Sequence, residues 1–144
     1  MRIVIQRVKS ASVEIDTQVF SKINQGILVF LGIAKSDTEN NIDFFINKLL
    51  NLRMFEDDSN KMNKSIQEIN GQILVVSQFT LYGNCQKGRR PSFDQAAKPE
   101  VAIPLYNKFI EKLKTQYPKK IQTGKFGADM QVKLENDGPV TFII

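Results

Sequence analysis

Two short segments of this chain concentrate residue types suited to binding and catalysis. Ser77-Gln78-Phe79-Thr80 offers hydroxyl groups, an amide side chain and backbone N–H groups, and Gly138-Pro139 offers a peptide bond that can be cis or trans. The chain has no histidine, the only side chain whose unperturbed pKa places its charge change near neutral pH. Ser/His/Asp and Cys/His nucleophilic triads are therefore excluded.

The same composition predicts no metal centre and no cofactor. With a single cysteine, Cys85, and no histidine, a tetrahedral zinc site would have to rest on carboxylates, which is uncommon. The lone cysteine excludes an intramolecular disulfide, and no N-terminal stretch has the basic start, apolar centre and small-residue cleavage site of a signal peptide. We therefore expect a reduced, cytoplasmic setting.

Length and hydropathy predict one domain that does not enter a membrane. The chain has 144 residues, which suits a single domain over 1–144 with a sizeable core. The longest nearly apolar run, 26–34 (GILVFLGIA), is less than half of the roughly 20 residues that a transmembrane helix needs. It is typical of a buried strand instead.

Positive charge is concentrated in one part of the chain. The net charge is +5, but residues 84–125 contain ten basic and three acidic residues, so this segment carries +7 and the remainder −2. A concentrated positive field favours a polyanionic partner. The tight cluster of Lys87, Arg89 and Arg90 beside Gly88 and Pro91 favours nucleic-acid contact, since arginine grips phosphate with paired hydrogen bonds. For the lysines at 108, 112 and 114, a role in keeping a surface helix soluble explains the charge as well as RNA contact does.

Apolar spacing predicts strands at both ends of the chain and two helices between them. A capping-box pattern, Ser36 with Glu39, precedes a helix that ends near Leu52. A second helix starts near Pro99, and Pro104 leaves open whether its regular part begins only at Ile103. The predicted strands contain Ile3 and Ile5, Val13 and Ile15, Val19 and Phe20, 27–33, 73–76, 130–134 and 140–144. This order predicts an α+β domain in which mixed or antiparallel sheets form a barrel-like core with two main helices.

Residue spacing alone does not show that either segment, Ser77–Thr80 or Gly138-Pro139, has a chemical function. Ser77–Thr80 follows a buried strand and precedes a basic loop, so it can emerge at a sheet end, but ordinary strand alternation fits it too. Gly138-Pro139 follows two turn formers, and most such sequences are simple turns. If that bond were cis, it would set two carbonyl oxygens side by side as a rigid acceptor pair for an ammonium group.

A resemblance that runs from Met1 to Ile144 favours the chemical interpretation of both segments. The chain resembles the D-aminoacyl-tRNA deacylase family in a series of ordered motifs. These are Ile5-Gln6-Arg7-Val8 with Ala11-Ser12-Val13, Gly32, 77–81 (SQFTL), Arg90-Pro91-Ser92-Phe93, Thr123-Gly124-Lys125-Phe126 with Ala128-Asp129-Met130, and 136–141 (NDGPVT). Arg89 beside Arg90 departs from the family pattern, where one arginine is usual.

The resemblance implies a homodimeric enzyme that hydrolyses the ester of D-aminoacyl-tRNA, and of glycyl-tRNA mischarged on tRNA-Ala. Gly138 and Pro139, joined by a cis bond, would enter the partner subunit's pocket, hold the α-amino group and exclude an L side chain. Arg7 would brace that motif. The backbone amides at Phe79 and Thr80 would face the carbonyl oxygen, whereas Ser77, Gln78, Ala97 and Met130 would shape or line the pocket.

Such a mechanism is compatible with the missing histidine. An aminoacyl ester is already activated, the ribose 2′-hydroxyl can help position or activate water, and one oxyanion donor contributes about 10² to 10³ in rate. Thr80 is expected to be a pocket residue, because nothing near it in sequence could take its proton. The alternatives are a non-catalytic RNA-binding module of the same fold and a general esterase, which the absence of a Gly-x-Ser-x-Gly elbow disfavours.

Overall fold

The computed structural model describes all 144 residues. It contains the strands β1 (Arg2–Ile15), β2 (Gln18–Ile23), β3 (Gly26–Gly32), β4 (Phe55–Glu56), β5 (Met62–Lys64), β6 (Gln72–Ser77), β7 (Ile121–Thr123) and β8 (Gln131–Ile143). The helices are α1 (Ile42–Asn51) and α2 (Pro99–Gln116), and short 3-10 turns span Glu39–Asn41 and Phe79–Tyr82. No helix is both long and apolar enough to cross a membrane.

Strand β1 organises a six-stranded mixed sheet in the order β2-β1-β3-β6-β7, with β8 also paired to β1. β1 is antiparallel to β3 through residues 2–8, to β2 through 11–15 and to β8 through 4–14. Because a strand has only two edges, β8 occupies one edge while β3 and β2 share the other. β3, β6 and β7 run parallel, and β2 approaches β6 and β7, so the sheet nearly closes into a barrel. The predicted α+β class with a barrel-like core is confirmed.

Two apolar clusters cover opposite faces of this sheet. Alternate residues of β3 and β6, such as Val29 and Val75, face a large cluster that includes α1 and α2. Their neighbours, such as Leu28 and Leu74, face a second cluster of seven residues inside the barrel. Strand residues alternate between faces, so the continuous apolar run at 73–76 reflects a strand buried on both sides, as predicted.

The helix boundaries settle one open question and correct one prediction. α2 runs from Pro99 through Pro104 without interruption; the hydrogen bond that Pro104 cannot donate would reach only the first turn of the helix. The predicted Ser36 cap is wrong, because the chain enters α1 through the 3-10 turn. There the backbone N–H of Thr38 donates to Asn41 Oδ1 at 2.9 Å.

The strand predictions need three further corrections. β1 is one strand rather than two, and β8 is likewise continuous from Gln131 to Ile143. The short strands β5 and β7 were not predicted; each has only three residues, too few for a periodic pattern. β7 leads directly into the loop 124–130.

Candidate active site

An apolar cavity of about 560 Å³ opens where the parallel strands β3 and β6 end. Leu31 and Val76 line it near the strand ends, and further lining comes from the first turn of α2 and from residues 126–130 of the loop after β7. Ligand pockets are commonly apolar and lie beyond the carboxyl ends of parallel strands. The complete lining is Leu31, Ile33, Val76, Ser77, Gln78, Phe79, Ala97, Pro99, Ala102, Phe126, Gly127, Ala128, Asp129, Met130 and Val132.

The chain leaves β6 at this opening and coils into the 3-10 turn Phe79–Tyr82. The N–H of Gln78 still bonds to Leu31 O at 2.8 Å, and the N–H of Leu81 bonds to Gln78 O at 3.3 Å. Between them, the N–H groups of Phe79 and Thr80 have no acceptor within the protein. This is expected of the first residues of such a turn, and it leaves two adjacent donors at the cavity edge.

Gly32 allows this turn to sit directly against β3. A Cβ at Gly32 would lie 3.0 Å from Gln78 O, 3.1 Å from Leu81 Cβ and 3.3 Å from Tyr82 Cδ2. A larger residue would push the turn outward and move the two donor amides with it. The glycine that closes β3 therefore fixes the position of the backbone amides.

Thr80 is placed beside the cavity and is not part of its lining. Its side chain is exposed, and Gln78 Nε2 donates to Thr80 Oγ1 at 2.5 Å. No carboxylate or amine accepts the hydroxyl proton of Thr80. A hydroxyl without such a base is a weak nucleophile.

The cavity contains one ionisable side chain, Asp129, which is exposed and has no ion-pair partner. Beneath the lining, the hydroxyl of Tyr106 donates to Val75 O at 3.0 Å, and its ring packs edge-on against Phe126 at 5.7 Å. Burial raises the pKa of Tyr106 far above its usual range, so this hydroxyl remains a donor. No group of three or more Cys, Asp or Glu side chains lies together as a possible metal site.

Gly138 and Pro139 lie outside this cavity, on a projection of β8. The register between β1 and β8 passes from Gln6↔Thr141 to Val8↔Asn136, so residues 137–140 stand opposite Arg7 alone. This extra length makes β8 bulge away from its partner strand. Gly138 and Pro139 are both exposed, and the peptide bond between them is cis.

The buried Arg7 side chain holds this projection to the sheet. Its Nε donates to Asp137 O at 2.9 Å and lies 3.3 Å from Asp137 Oδ2. Its Nη1 donates to Met54 O at 2.8 Å, and its Nη2 lies 3.5 Å from Glu56 Oε1. A buried guanidinium needs such partners, and the result is that β1, the β4 region and the bulge are fixed to one another.

Gly138 is required where it stands. Its φ is +132°, a conformation that L side chains rarely adopt, and a Cβ there would lie 2.7 Å from Val140 Cγ2 and 3.0 Å from Arg7 Nη2. Asn136 closes the base of the bulge, since the N–H of Val140 donates to Asn136 Oδ1 at 2.8 Å. Asn136 was predicted only as a turn former in the motif at 136–141, without this closing role, although Asn commonly stabilises turns through its side chain.

The predicted nucleic-acid contacts, Lys87, Arg89 and Arg90, lie on an exposed loop. A bridge between Asn84 and Ser92 closes this loop, with hydrogen bonds of 2.8 and 3.0 Å. The three cations form no ion pair within the chain. Lys108 and Lys112, in contrast, pair with Glu111 and Asp43.

The structure therefore divides the predicted site residues into three groups. Ser77, Gln78, Phe79, Ala97 and Met130 line the cavity, with Thr80 at its edge. Arg7, Gly138 and Pro139 form the braced projection, and the basic loop is separate. Leu31 of β3, Ile33 just after this strand, and the wall that includes Phe126 and Asp129 were not predicted to line a pocket. The motif at 123–130 was the available signal for that wall.

Comparison with known proteins places this arrangement in a class of hydrolases. Residues 4–144 match the family model described as D-Tyr-tRNA(Tyr) deacylase. Relatives named D-aminoacyl-tRNA deacylase include one from Thermosipho melanesiensis, 53% identical, and one from Flavobacterium psychrophilum, 54% identical. Each alignment covers 100% of this chain and 96% of the relative.

Solved structures share the fold. The structure titled "c-Myc DNA Unwinding Element Binding Protein" superimposes with a TM-score of 0.95 at 46% identity, covering 100% of this chain and 97% of that one. A probable eukaryotic D-amino acid tRNA deacylase superimposes with a TM-score of 0.87 at 18% identity, covering 99% and 97%. The chain belongs to the D-aminoacyl-tRNA deacylase family, whose members are enzymes that act on aminoacyl-tRNA.

Replacing Arg7 tests whether its contacts hold the bulge. We expect Arg7→Met to lower the free energy of unfolding by about 2–3 kcal/mol, because hydrogen bonds to a buried charged group are lost and carbonyl oxygens are left unpaired. Urea denaturation measures this change. Amide hydrogen exchange is expected to accelerate at Gly138 and Val140.

Lys9→Met is the matched control. Lys9 also lies on β1 and pairs with Glu135 of β8, but its side chain is 63% exposed, so this change is expected to alter stability by less than about 0.5 kcal/mol. Equal effects of the two substitutions would show that Arg7 has no special bracing role.

Proposed function

We propose that this protein hydrolyses the ester bond of D-aminoacyl-tRNA, and of glycyl-tRNA formed on tRNA-Ala, and spares L-aminoacyl-tRNA. The observation that carries the proposal is the pair of unpartnered N–H groups of Phe79 and Thr80 at the edge of an apolar cavity. Donors fixed in this way can stabilise the oxyanion that forms when water attacks an ester carbonyl. They need no movement during the reaction, because the turn is already held against Gly32.

The cavity contains no histidine, and its lining offers a single carboxyl group. Asp129 is its only ionisable residue and is exposed. The aminoacyl ester is itself activated, and the adjacent ribose 2′-hydroxyl can orient or activate the attacking water. In this mechanism the protein contributes orientation and oxyanion stabilisation, and the substrate contributes the polar group beside the reacting carbon.

Selectivity is assigned to the Gly138-Pro139 projection of a second subunit. In this proposal its carbonyl oxygens accept hydrogen bonds from the α-ammonium group of the substrate, and its backbone occupies the space that an L side chain would need. A D side chain or the hydrogen of glycine would avoid that space. Arg7 supports the proposal, because a steric filter must be rigid and Arg7 ties the projection to the sheet.

Homodimerisation is proposed because one chain does not bring its own projection to its own cavity. β8 pairs only with β1, and none of its residues is fully buried. Its apolar side chains Leu134 and Ile143 are 37% and 73% exposed. A strand with exposed apolar side chains and a free edge is a suitable surface for pairing with another copy. We place the enzyme in the cytoplasm, where charged tRNA would be available to it.

The direct experiment compares matched D-tyrosyl-, L-tyrosyl- and glycyl-tRNA in the presence of EDTA. We expect rapid loss of the D and glycyl esters and no acceleration for the L ester above its spontaneous hydrolysis. Release of the amino acid is followed with radiolabelled substrate. Binding of all three tRNAs without turnover would identify an RNA-binding module, and equal hydrolysis of all three would remove the proposed filter.

Mixing two inactive variants tests whether the site is shared between subunits. Gly138→Ala distorts the projection, and Ala97→Phe fills the cavity, so each homodimer is expected to be inactive. An equimolar, re-associated mixture is expected to recover roughly a quarter of the wild-type activity, because half of the dimers are mixed and each has one complete site. No recovery in a mixture whose mixed dimers are verified by mass spectrometry would contradict a shared site.

Thr80→Ala tests the role of the hydroxyl. Because Thr80 Oγ1 accepts from Gln78 and has no base, we expect kcat to fall by less than about tenfold, as for a pocket residue and not for a nucleophile. Rapid-quench mass spectrometry of the wild-type enzyme with D-tyrosyl-tRNA provides the second measurement. An acyl-threonine at position 80 would contradict the proposed mechanism.

A further inference from the structure

We infer that Arg2 is a positioning residue for the turn that carries the proposed oxyanion donors. This inference rests on the proposed function and adds to it a side chain that lies outside the cavity lining. Arg2 begins β1, and its Nη1 donates to Leu81 O at 2.5 Å. Its guanidinium carbon lies 4.9 Å from the centroid of the Tyr82 ring. Both contacts are made with the turn Phe79–Tyr82.

The register of the sheet explains why Arg2 reaches this turn. Arg2 stands directly opposite Gly32 in the pairing of β1 with β3, and side chains at opposite positions point to the same face of a sheet. Gly32 has no side chain, and residues of the turn occupy the space that its Cβ would need. Gly32 therefore permits the close approach of the turn, and Arg2 supplies contacts that retain it.

The hydrogen bond from Arg2 satisfies a carbonyl at the end of the turn. A helical turn leaves its last carbonyls without a backbone partner. The N–H of Asn84 would continue the 3-10 pattern to Leu81 O, but it donates to Ser92 O at 2.8 Å, and no other backbone N–H reaches Leu81 O. A cation at this end also complements the dipole of the turn. Arg2 therefore caps the end of the turn opposite the two free donors.

No carboxylate competes with the turn for Arg2, which forms no ion pair. Asp37 is held by the α-ammonium group of Met1 and accepts from the N–H of Ala34 at 2.7 Å. Burial, together with the charge of Asp37, raises the pKa of the Tyr82 hydroxyl. The ring therefore stays neutral and keeps the π-face that attracts a cation.

Oxyanion donors must be placed accurately, and contacts of this kind can supply that accuracy. A displacement of about 1 Å at a reacting group can cost on the order of 10²-fold in rate. Loss of Arg2 would leave the contact of the turn with Gly32 in place, so we expect it to loosen the turn and not to remove the donors. The effect on the rate should then be smaller than the loss of a whole donor, which costs about 10²- to 10³-fold.

Arg2→Met tests this role through the separate changes in kcat and KM. With D-tyrosyl-tRNA, kcat is expected to fall roughly three- to thirtyfold, less than for the loss of a donor. KM is expected to change by less than about twofold, because the cavity lining is untouched. Arg2→Lys keeps a donor and a positive charge, and it is expected to recover most of the lost kcat. An unchanged kcat in Arg2→Met, or a loss confined to KM, would overturn the inference.

Arg53→Met is the matched control. Arg53 is also an exposed arginine, and its side chain forms neither an ion pair nor a cation–π contact. This variant is expected to keep the wild-type kcat. An equal fall in kcat for both variants would show that the contact of Arg2 with the turn is not responsible, and would refute the inference.

Amide hydrogen exchange measures the turn directly and does not depend on catalysis. The N–H groups of Leu81 and Gly83 are hydrogen-bonded within the turn, whereas that of Ile73 bonds to Lys120 O in the sheet. In Arg2→Met, exchange at Leu81 and Gly83 is expected to accelerate at least about threefold, with exchange at Ile73 unchanged, as for local opening.

The pattern of exchange separates a local role from a general one. Equal acceleration at the turn and at Ile73 would indicate a general loss of stability and would overturn the inference. Local acceleration in Arg2→Met, combined with a wild-type protein that hydrolyses no D-tyrosyl-tRNA, would refute the proposed function and leave the support of the turn by Arg2 standing.

Discussion

The buried guanidinium of Arg7 is the contact on which the arrangement of β8 depends. A charge taken out of water is costly unless it is paired and hydrogen-bonded, and the partners of Arg7 are Met54 O, Asp137 and Glu56. All three partners are at least 47 positions from Arg7 in the sequence and come from two separate segments of the chain. The same contacts that make the buried charge tolerable therefore fix the bulge of β8 relative to the sheet. The projection of β8 is therefore held in place by the hydrogen bonds that satisfy the buried charge of Arg7.

The proposed catalysis uses dipoles of the main chain instead of side-chain charges. A cavity lined mainly by apolar groups lowers the local dielectric, which strengthens the interaction of an N–H group with a developing oxyanion. It would equally penalise an unpaired ionised base. The absence of histidine and the exposed position of Asp129 are consistent with a site that relies on the activated ester. In the proposed mechanism the protein supplies the oxyanion donors, and the ribose 2′-hydroxyl of the substrate supplies the polar group that acts on water.

The sequence predicted the fold class and the strands with strong periodicity. Predictions from local patterns failed where a strand was too short to show a period or where pairing with another strand outweighed a local turn signal. The run at 73–76 identified a strand buried on both faces, whereas β5 and β7 have too few residues to show a period. Turn formers at 136–139 suggested an end to the C-terminal strand, but pairing with β1 on both sides of the bulge keeps β8 continuous. The separation of Gly138 from the cavity could not be read from local patterns, because it depends on three-dimensional register.

When the donors are main-chain N–H groups, their positions depend on how the strands end and pack and not on side-chain conformations. The amides of Phe79 and Thr80 are placed by the hydrogen bond from Gln78 to Leu31 and by the contact of the turn with Gly32. A shift in the register of β3 and β6 would move both donors together, while a change of the Thr80 side chain would move neither. The residues that matter most for such a site are then packing residues, and Gly32 is the plainest example. Because Gly32 has no Cβ, the turn that carries the proposed oxyanion donors can approach β3 closely.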